Sequence, residues 1–393
     1  MRVQNHNGFM WFPYKIILLL CLIYAPYSAF AGDQITETFH IDGIERGIFL
    51  PVTINDLPYL LLVDTGATFT ILDSSFKPLM GKPLRRTKAE TIVGQTDVLL
   101  YNPVDIYAGN YNLTTKHQFL LSDFEFLKKV AGITFHGILG MANLYEHVWD
   151  MDFDERKLII KSQPYGENTL IGFTQLRITP NKVGIPAIPV EVGNEQIHFL
   201  LDSGDNGFGR LQTEIVDSLI DQKLVESVAI DTTVSISGVT EVRRIRVKEI
   251  EIGGNIYRNV VMRESLQNAL GFGFFKQHHV VFDFINRDFF FKIGLGVFQV
   301  EREDKSGLKL ISHNNQVVVA LIDERGPAAK AGIRKGDIIA KLYGAPVSGK
   351  DLFKLRNLLK GEDGEEILLD INRSDEKLAI TFELEKGFDF VSF

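Results

Sequence analysis

The chain has 393 residues, 45% of them hydrophobic and 23% charged, enough for more than one core and too polar for a polytopic membrane protein. A formal charge of −8 excludes a nucleic-acid polyanion as the main partner, because phosphate binding needs a basic surface. One cysteine excludes a disulfide framework and a Cys-rich zinc site.

The N-terminus carries Arg2 and Lys15, an apolar run from Ile16 to Tyr24, and Ala29-Phe30-Ala31 before Gly32. A basic start, a short apolar stretch and an A-x-A site predict a secretory signal peptide over residues 1–31. The 16 residues from Ile16 to Ala31 are broken by Pro26, and a spanning helix needs about 20. Cleavage after Ala31 removes Arg2, Lys15 and Cys21, so the exported chain is at −10 and has no cysteine. It is expected in the periplasm or outside the cell, without a stable membrane anchor.

Beyond the leader the patterns are mostly β. Leu50 to Ile54, Leu60 to Val63, Val98 to Tyr101 and Ile245 to Ile252 are short, β-branched or alternating, and flanked by turn residues. Ile188 to Val192 reads as a strand start or sheet edge, because Pro189 lacks an N–H. Helices are predicted at Phe124 to Val130, Thr213 to Gln222 and Asp351 to Lys360.

The order of elements repeats. Leu60-Leu61-Leu62-Val63-Asp64-Thr65-Gly66-Ala67 recurs as Phe199-Leu200-Leu201-Asp202-Ser203-Gly204-Asp205. Ile138-Leu139-Gly140 recurs as Ala269-Leu270-Gly271, 76 residues after the first Asp and 69 after the second. Between them lie hairpin candidates centred on Gly94 and Gly238. Val148 to Ile160 and Val280 to Lys292 close the two copies.

Each Asp ends an apolar strand, and Gly two residues on lets backbone approach closely. If the copies pack about a pseudo-twofold axis, Asp64 and Asp202 face each other. Carboxylates that close share a proton and titrate as a pair. The ionised one can activate water and the neutral one can donate to a carbonyl oxygen. Thr65 and Ser203 supply hydroxyls that can bond across the seam.

With these residues the chain resembles the aspartic proteases, both retropepsin-like and pepsin-like, over roughly Thr36 to Lys292. The resemblance implies a mainly β fold of two pseudo-twofold-related lobes, 32–169 and 170–295, with one active site in a monomer. It implies Asp64 and Asp202 as catalytic residues without cofactor or metal, supported by Thr65, Gly66, Ser203 and Gly204. Gly140 and Gly271 would thread beneath the catalytic loops, and Gly94 and Gly238 would sit in flaps over an extended peptide or unfolded protein. Asp205 departs from the small residue that Ala67 provides. Aimed at the pair it would raise their pKa; turned outward in Asp205-Asn206-Gly207, or paired with Arg210, it is harmless. The rival reading is an inactive peptide-binding pseudoprotease or PDZ-led scaffold.

The C-terminal run Gly326-Pro327-Ala328-Ala329-Lys330-Ala331-Gly332-Ile333-Arg334-Lys335-Gly336-Asp337-Ile338-Ile339 resembles a bacterial-type PDZ domain, expected over 305–386 as a small α+β unit. Pro327 opens a short helix that Gly332 ends, and strands are expected at Gln316 to Ile322 and Ile338 to Leu342. The resemblance implies capture of a peptide C-terminus at Leu308, Lys309 and Leu310, beside a groove helix from Asp351 to Lys360. Lys309 replaces the usual second Gly of that loop. Asp150-x-Asp152-x-Asp154 lacks the Gly and closing Glu of a calcium loop and reads as a closing hairpin. His278-His279 reads as a surface pair.

Overall fold

The computed structural model describes residues 36–41, 47–91, 94–235, 238–295 and 298–385. The expected leader lies outside this set. Nine elements position the site and the C-terminal groove: β1 (Leu57–Val63), β2 (Ile71–Asp73), α1 (Glu125–Ala131), β3 (Gly137–Leu139), β4 (Glu195–Asp202), β5 (Gly209–Gln212), β6 (Ala269–Gly271), β7 (Leu308–His313) and α2 (Leu352–Leu358).

Local chemistry explains how the first Asp is presented. Phe49–Ile54 turns into β1 through Asn55 and Asp56, both at positive φ (51° and 60°), a two-residue turn whose twist suits a hairpin. Along the hairpin Leu50, Val52, Ile54, Leu61 and Val63 are buried, the two-residue period of a strand with one face in the core. β3 then inserts between β1, to which it is parallel, and β2, to which it is antiparallel. Ile138 thereby lies between Leu62 and Ile71 in one row across three strands.

The second half repeats the insertion. β6 lies between β4, parallel, and β5, antiparallel, and the corresponding row is Leu200, Ala269, Arg210. The halves are joined by a six-stranded sheet, with Val148–Asp152 beside His278–Asp283 at its centre. One hydrophobic core runs through both halves and takes in Phe272, Phe274, Phe275, Phe282, Phe289 and Phe291. Each such ring contributes about 2 kcal/mol by leaving water. Cohesion here needs no cystine.

Pro189 stands opposite His198 in a strand at one end of the second sheet's main path, where a missing donor is tolerated. Asp150 and Asp152 lie in a strand antiparallel to Lys157–Lys161, as a closing hairpin requires. The expected surface histidine pair is corrected: His278 is buried, bonded to Tyr257 Oη (2.8 Å) and the Phe274 carbonyl (2.8 Å). His279 points to the other face, against Asp150 (2.7 Å) and Asp152 (3.2 Å). The two rings do face opposite sides of the strand, but each meets hydrogen-bond partners of the protein there.

From Leu308 a separate core forms around Leu310, Val319, Ile339, Leu355, Leu369 and Ile371. Its sheet has six strands, five in the order β7, Gln316–Ile322, Ile338–Leu342, Glu366–Arg373 and Glu376–Glu383, with Ala345–Pro346 paired to Ile338–Leu342, leaving β7 at an edge. Pro327 opens the helix Pro327–Lys330, and Gly332 (φ 96°) and Gly336 (φ 92°) turn the chain into the next strand. α1 of the first half runs alongside β7, and Gly132 at its end sits against Leu352 of α2.

Candidate active site

Asp64 directly follows β1 and Asp202 ends β4, and the loops beyond them meet face to face. A Cβ on Gly66 would stand 2.4 Å from Asp202 Cγ, and one on Gly204 would stand 2.5 Å from Asp64 Cγ. Only glycine leaves room for the opposing carboxyl at each position. Gly66 N–H donates to Asp64 Oδ1 (2.8 Å), and Gly204 N–H to Asp202 Oδ1 (3.0 Å). The two carboxyls thus face one another across the seam.

Beneath them Thr65 and Ser203 are buried, each 1% exposed. Thr65 Oγ1 donates to the Leu201 carbonyl (2.7 Å) and accepts from Ser203 N–H (3.0 Å). Ser203 Oγ donates to the Val63 carbonyl (2.8 Å) and accepts from Thr65 N–H (3.0 Å). Four reciprocal bonds therefore fix each loop to the strand carrying the other carboxylate, while the Asp202 side chain remains 17% exposed. Gly140 and Gly271 pass under the loops: a Cβ would meet the Phe69 carbonyl at 2.3 Å and the Gly207 carbonyl at 2.4 Å.

Burial, then the opposing Asp202, push the Asp64 carboxyl up to about 8. Burial also raises Asp202, against the pull of Arg210. Asp205 turns to Arg210, whose Nε lies 2.8 Å from its Oδ2. Burial pushes Asp205 up, but Arg210 and the Gly207 amide outweigh it and hold the carboxylate below its usual range. Burial opposes the charge on Arg210, and the Asp205 and Asp202 carboxylates more than restore it.

Two hairpins carry the expected flap glycines, Arg85–Thr91 with Gly94–Tyr101 and Val225–Ser235 with Gly238–Ile252. Gly94 pairs with Thr91 and Gly238 with Ser235; the tips between them lie outside the described residues. The second hairpin is tied down through Asp231, which meets Arg263 (3.0 Å) and Lys309 (3.1 Å). Sequence reasoning missed Arg263, Asp231 and Glu301 (2.8 Å from Arg263), which come together from far apart with no local signal. It also missed Thr70, whose hydroxyl takes the Gly140 N–H (3.0 Å) and bonds Asn143 (2.5 Å).

Of the proposed groove residues, Leu308 and Leu310 bury their side chains in the C-terminal core, and Lys309 faces Asp231. The preceding amides are internally satisfied: Ser306 and Gly307 donate to Asp304 Oδ1 (2.9 Å each) and Leu308 to Ser306 Oγ (3.1 Å). Arg356 of α2 donates to the Leu310 carbonyl.

Residues 50–142 match the family model for an aspartyl protease, and residues 295–384 match that for a PDZ domain. The first match contains Asp64, Gly94 and Gly140; Asp202 lies beyond it and joins the site through its own repeat of the strand insertion. Over 80 residues the chain is 30% identical to a "Probable CtpA-like serine protease" of Staphylococcus aureus (strain COL), covering 20% of this chain and 16% of that protein. Over 68 residues it is 41% identical to a "Carboxy-terminal-processing protease" of Bartonella bacilliformis, covering 17% of this chain and 15% of that protein. The chain thus spans about a sixth of the length of these curated relatives. The crystal structure of aspartic proteinase from Irpex lacteus aligns with a TM-score of 0.43 at 13% identity, over 66% of this chain and 98% of that one. The molecule is mainly β, an aspartyl-protease-like part followed by a C-terminal PDZ domain.

Proposed function

We propose that the protein is an exported aspartic endopeptidase that hydrolyses peptide bonds through a water held by Asp64 and Asp202. One observation carries the reading: each carboxyl is packed against the glycine beside the other, in loops cross-bonded by Thr65 and Ser203. The ionised carboxylate takes a proton from water as its oxygen bonds to the peptide carbonyl carbon. The protonated carboxyl gives its proton to the carbonyl oxygen; as the resulting diol collapses, the carboxyl that took the water's proton passes it to the nitrogen, the C–N bond breaks, and the other carboxylate takes a proton from a diol hydroxyl. The hairpin around Gly94, exposed at Arg85, Arg86 and Lys88, is the better candidate cover for an extended peptide.

The PDZ domain is proposed to recruit substrate by its C-terminus. With α1 beside β7 and the loop amides engaged, recruitment requires α1 to move away from the groove. Export to the periplasm or medium is proposed on the leader pattern of residues 1–31. Asp64→Asn and Asp202→Asn are the test: both should stop cleavage of an unfolded protein substrate while leaving the circular dichroism spectrum unchanged. Full activity in either variant sinks the assignment.

A further inference from the structure

We propose that Arg210 decides which carboxyl of the pair carries the charge: it holds Asp202 ionised as the base toward water, leaves the proton on Asp64, and is itself balanced by Asp205. The proposal rests on the endopeptidase reading and makes Arg210 a positioning residue for the proton.

The repeat supplies the comparison. In the first half the row across the inserted strand is Leu62, Ile138, Ile71, and Ala67 packs with Ile71 and Ile138 in an apolar cluster that includes Phe124 and Phe135. In the second half the row is Leu200, Ala269, Arg210, and Asp205 stands where Ala67 does. Exchange of Ile138 for Ala269 opens the space that a guanidinium needs. The pseudo-symmetry is thus broken in charge at the floor beneath the carboxyls. Asp202 stands beside a cation that acts on Asp64 only from beyond ion-pair range.

Arg210 Nη2 lies 3.9 Å from Asp202 Oδ2, and the two side chains are 13% and 17% exposed. At that distance and with so little water, the attraction is much less screened than between surface charges. Asp202 Oδ1 already accepts from Gly204 N–H (3.0 Å) and Asp205 N–H (3.1 Å), which leaves Oδ2 to receive the proton of water. Arg263 lies near the same loop, so that a Cβ on Gly207 would meet its Nη1 at 2.7 Å and Asp205 Oδ1 at 3.6 Å, and its charge also favours the Asp205 carboxylate. Asp205 is therefore favoured as a carboxylate that balances Arg210 at 2.8 Å.

Burial raises both carboxyls, Asp64 toward neutral pH, while Arg210 pulls Asp202 back toward ionisation and Asp205 opposes that pull. The two titrations separate, and the state with one proton on the pair spans a wide pH range. A pair without the cation would reach that state only at higher pH. The enzyme should therefore work at mildly acidic to neutral pH.

The experiment compares kcat/KM against pH for the wild type, Arg210→Lys, Arg210→Met, and the double variant Asp205→Ala with Arg210→Ile, which installs the first-half residues. Arg210→Met should move the acid limb upward by about one to three pH units, as expected for loss of an opposite charge at this range. Arg210→Lys should keep most of the wild-type profile, and the double variant should resemble Arg210→Met. The double variant removes both charges, so it carries the test if Arg210→Met alone leaves Asp205 unbalanced and fails to fold. Carbon-13 carboxyl spectra, assigned with Asp64→Asn and Asp202→Asn, read the proton without turnover and should place it on Asp64 at neutral pH. An unmoved acid limb in a folded variant lacking Arg210, or a neutral-pH proton on Asp202, overturns the proposal. A wild type without turnover would defeat the endopeptidase reading, and the carboxyl spectra would still decide the proton's place.

Discussion

Thr65 and Ser203 act through oxygen atoms that each donate to a carbonyl and accept from an amide across the seam. Thr65→Val keeps the shape and removes both functions, leaving the Ser203 amide and the Leu201 carbonyl unpaired in a dry place. The expected loss is about 1–3 kcal/mol in urea unfolding, with reduced turnover because the carboxyls lose their common frame. Gly204→Ala forces a methyl to within 2.5 Å of Asp64 Cγ and should abolish cleavage through displacement of that carboxyl. Spectra of the folded variant separate this from collapse of the fold. These residues were legible in the sequence because the triplets Asp64-Thr65-Gly66 and Asp202-Ser203-Gly204 are local. Asp205 was legible as a departure, and its pairing with Arg210 only as one of three orientations, since a loop sequence does not fix a side-chain direction.

Elements were legible where pattern and local turn agree, as at Leu50 to Ile54 with its Asn-Asp turn, or at the helix Thr213–Asp221. The brief helices Met141–Leu144 and Phe272–Phe275 were not, because one turn after a glycine has no periodicity to read. The central pairing of Val148–Asp152 with His278–Asp283 was equally hidden, being a contact between distant strands. There His279 stands between Asp150 and Asp152, with Lys292 opposing and the Phe173 ring beside it. Burial lowers the His279 pKa, but the hydrogen bond and charge of Asp150, then Asp152, raise it overall. A raised folded pKa stabilises fully below the unfolded value of about 6.5 and ceases to as pH rises through the folded value. His279→Gln should therefore lower Tm clearly at pH 5.5 and much less at pH 9. An equal loss at both values would show that packing against Phe173, and not charge, supplies the stability.

Across the whole molecule, buried charge links the second half to the PDZ domain. Arg263 joins Asp231 to Glu301, and Lys309 of β7 reaches Asp231 from the PDZ side. Because the Lys309 side chain is 47% exposed, Lys309→Ala should cost less than about 1 kcal/mol, measured by urea unfolding. Gly132→Ala is a sharper probe of the packed groove. Gly132 sits at φ 63°, and a Cβ would meet Leu352 Cδ2 at 2.9 Å. The variant should speed hydrogen exchange in β7 and raise affinity for peptides with free C-termini, whereas unchanged exchange and affinity would show that α1 does not guard the groove. None of this was legible in the sequence, because domain-to-domain contacts leave no period and no motif. The repeat, by contrast, was visible from end to end, and it sets the central claim: two half-sites in one chain make one proton-sharing pair. The most direct measurement is cleavage of an unfolded, fluorescence-quenched protein by the purified wild type beside Asp64→Asn and Asp202→Asn. Turnover by the wild type, reduced about a hundred-fold or more in both folded variants, is the predicted result. Wild-type rates in either variant would contradict it.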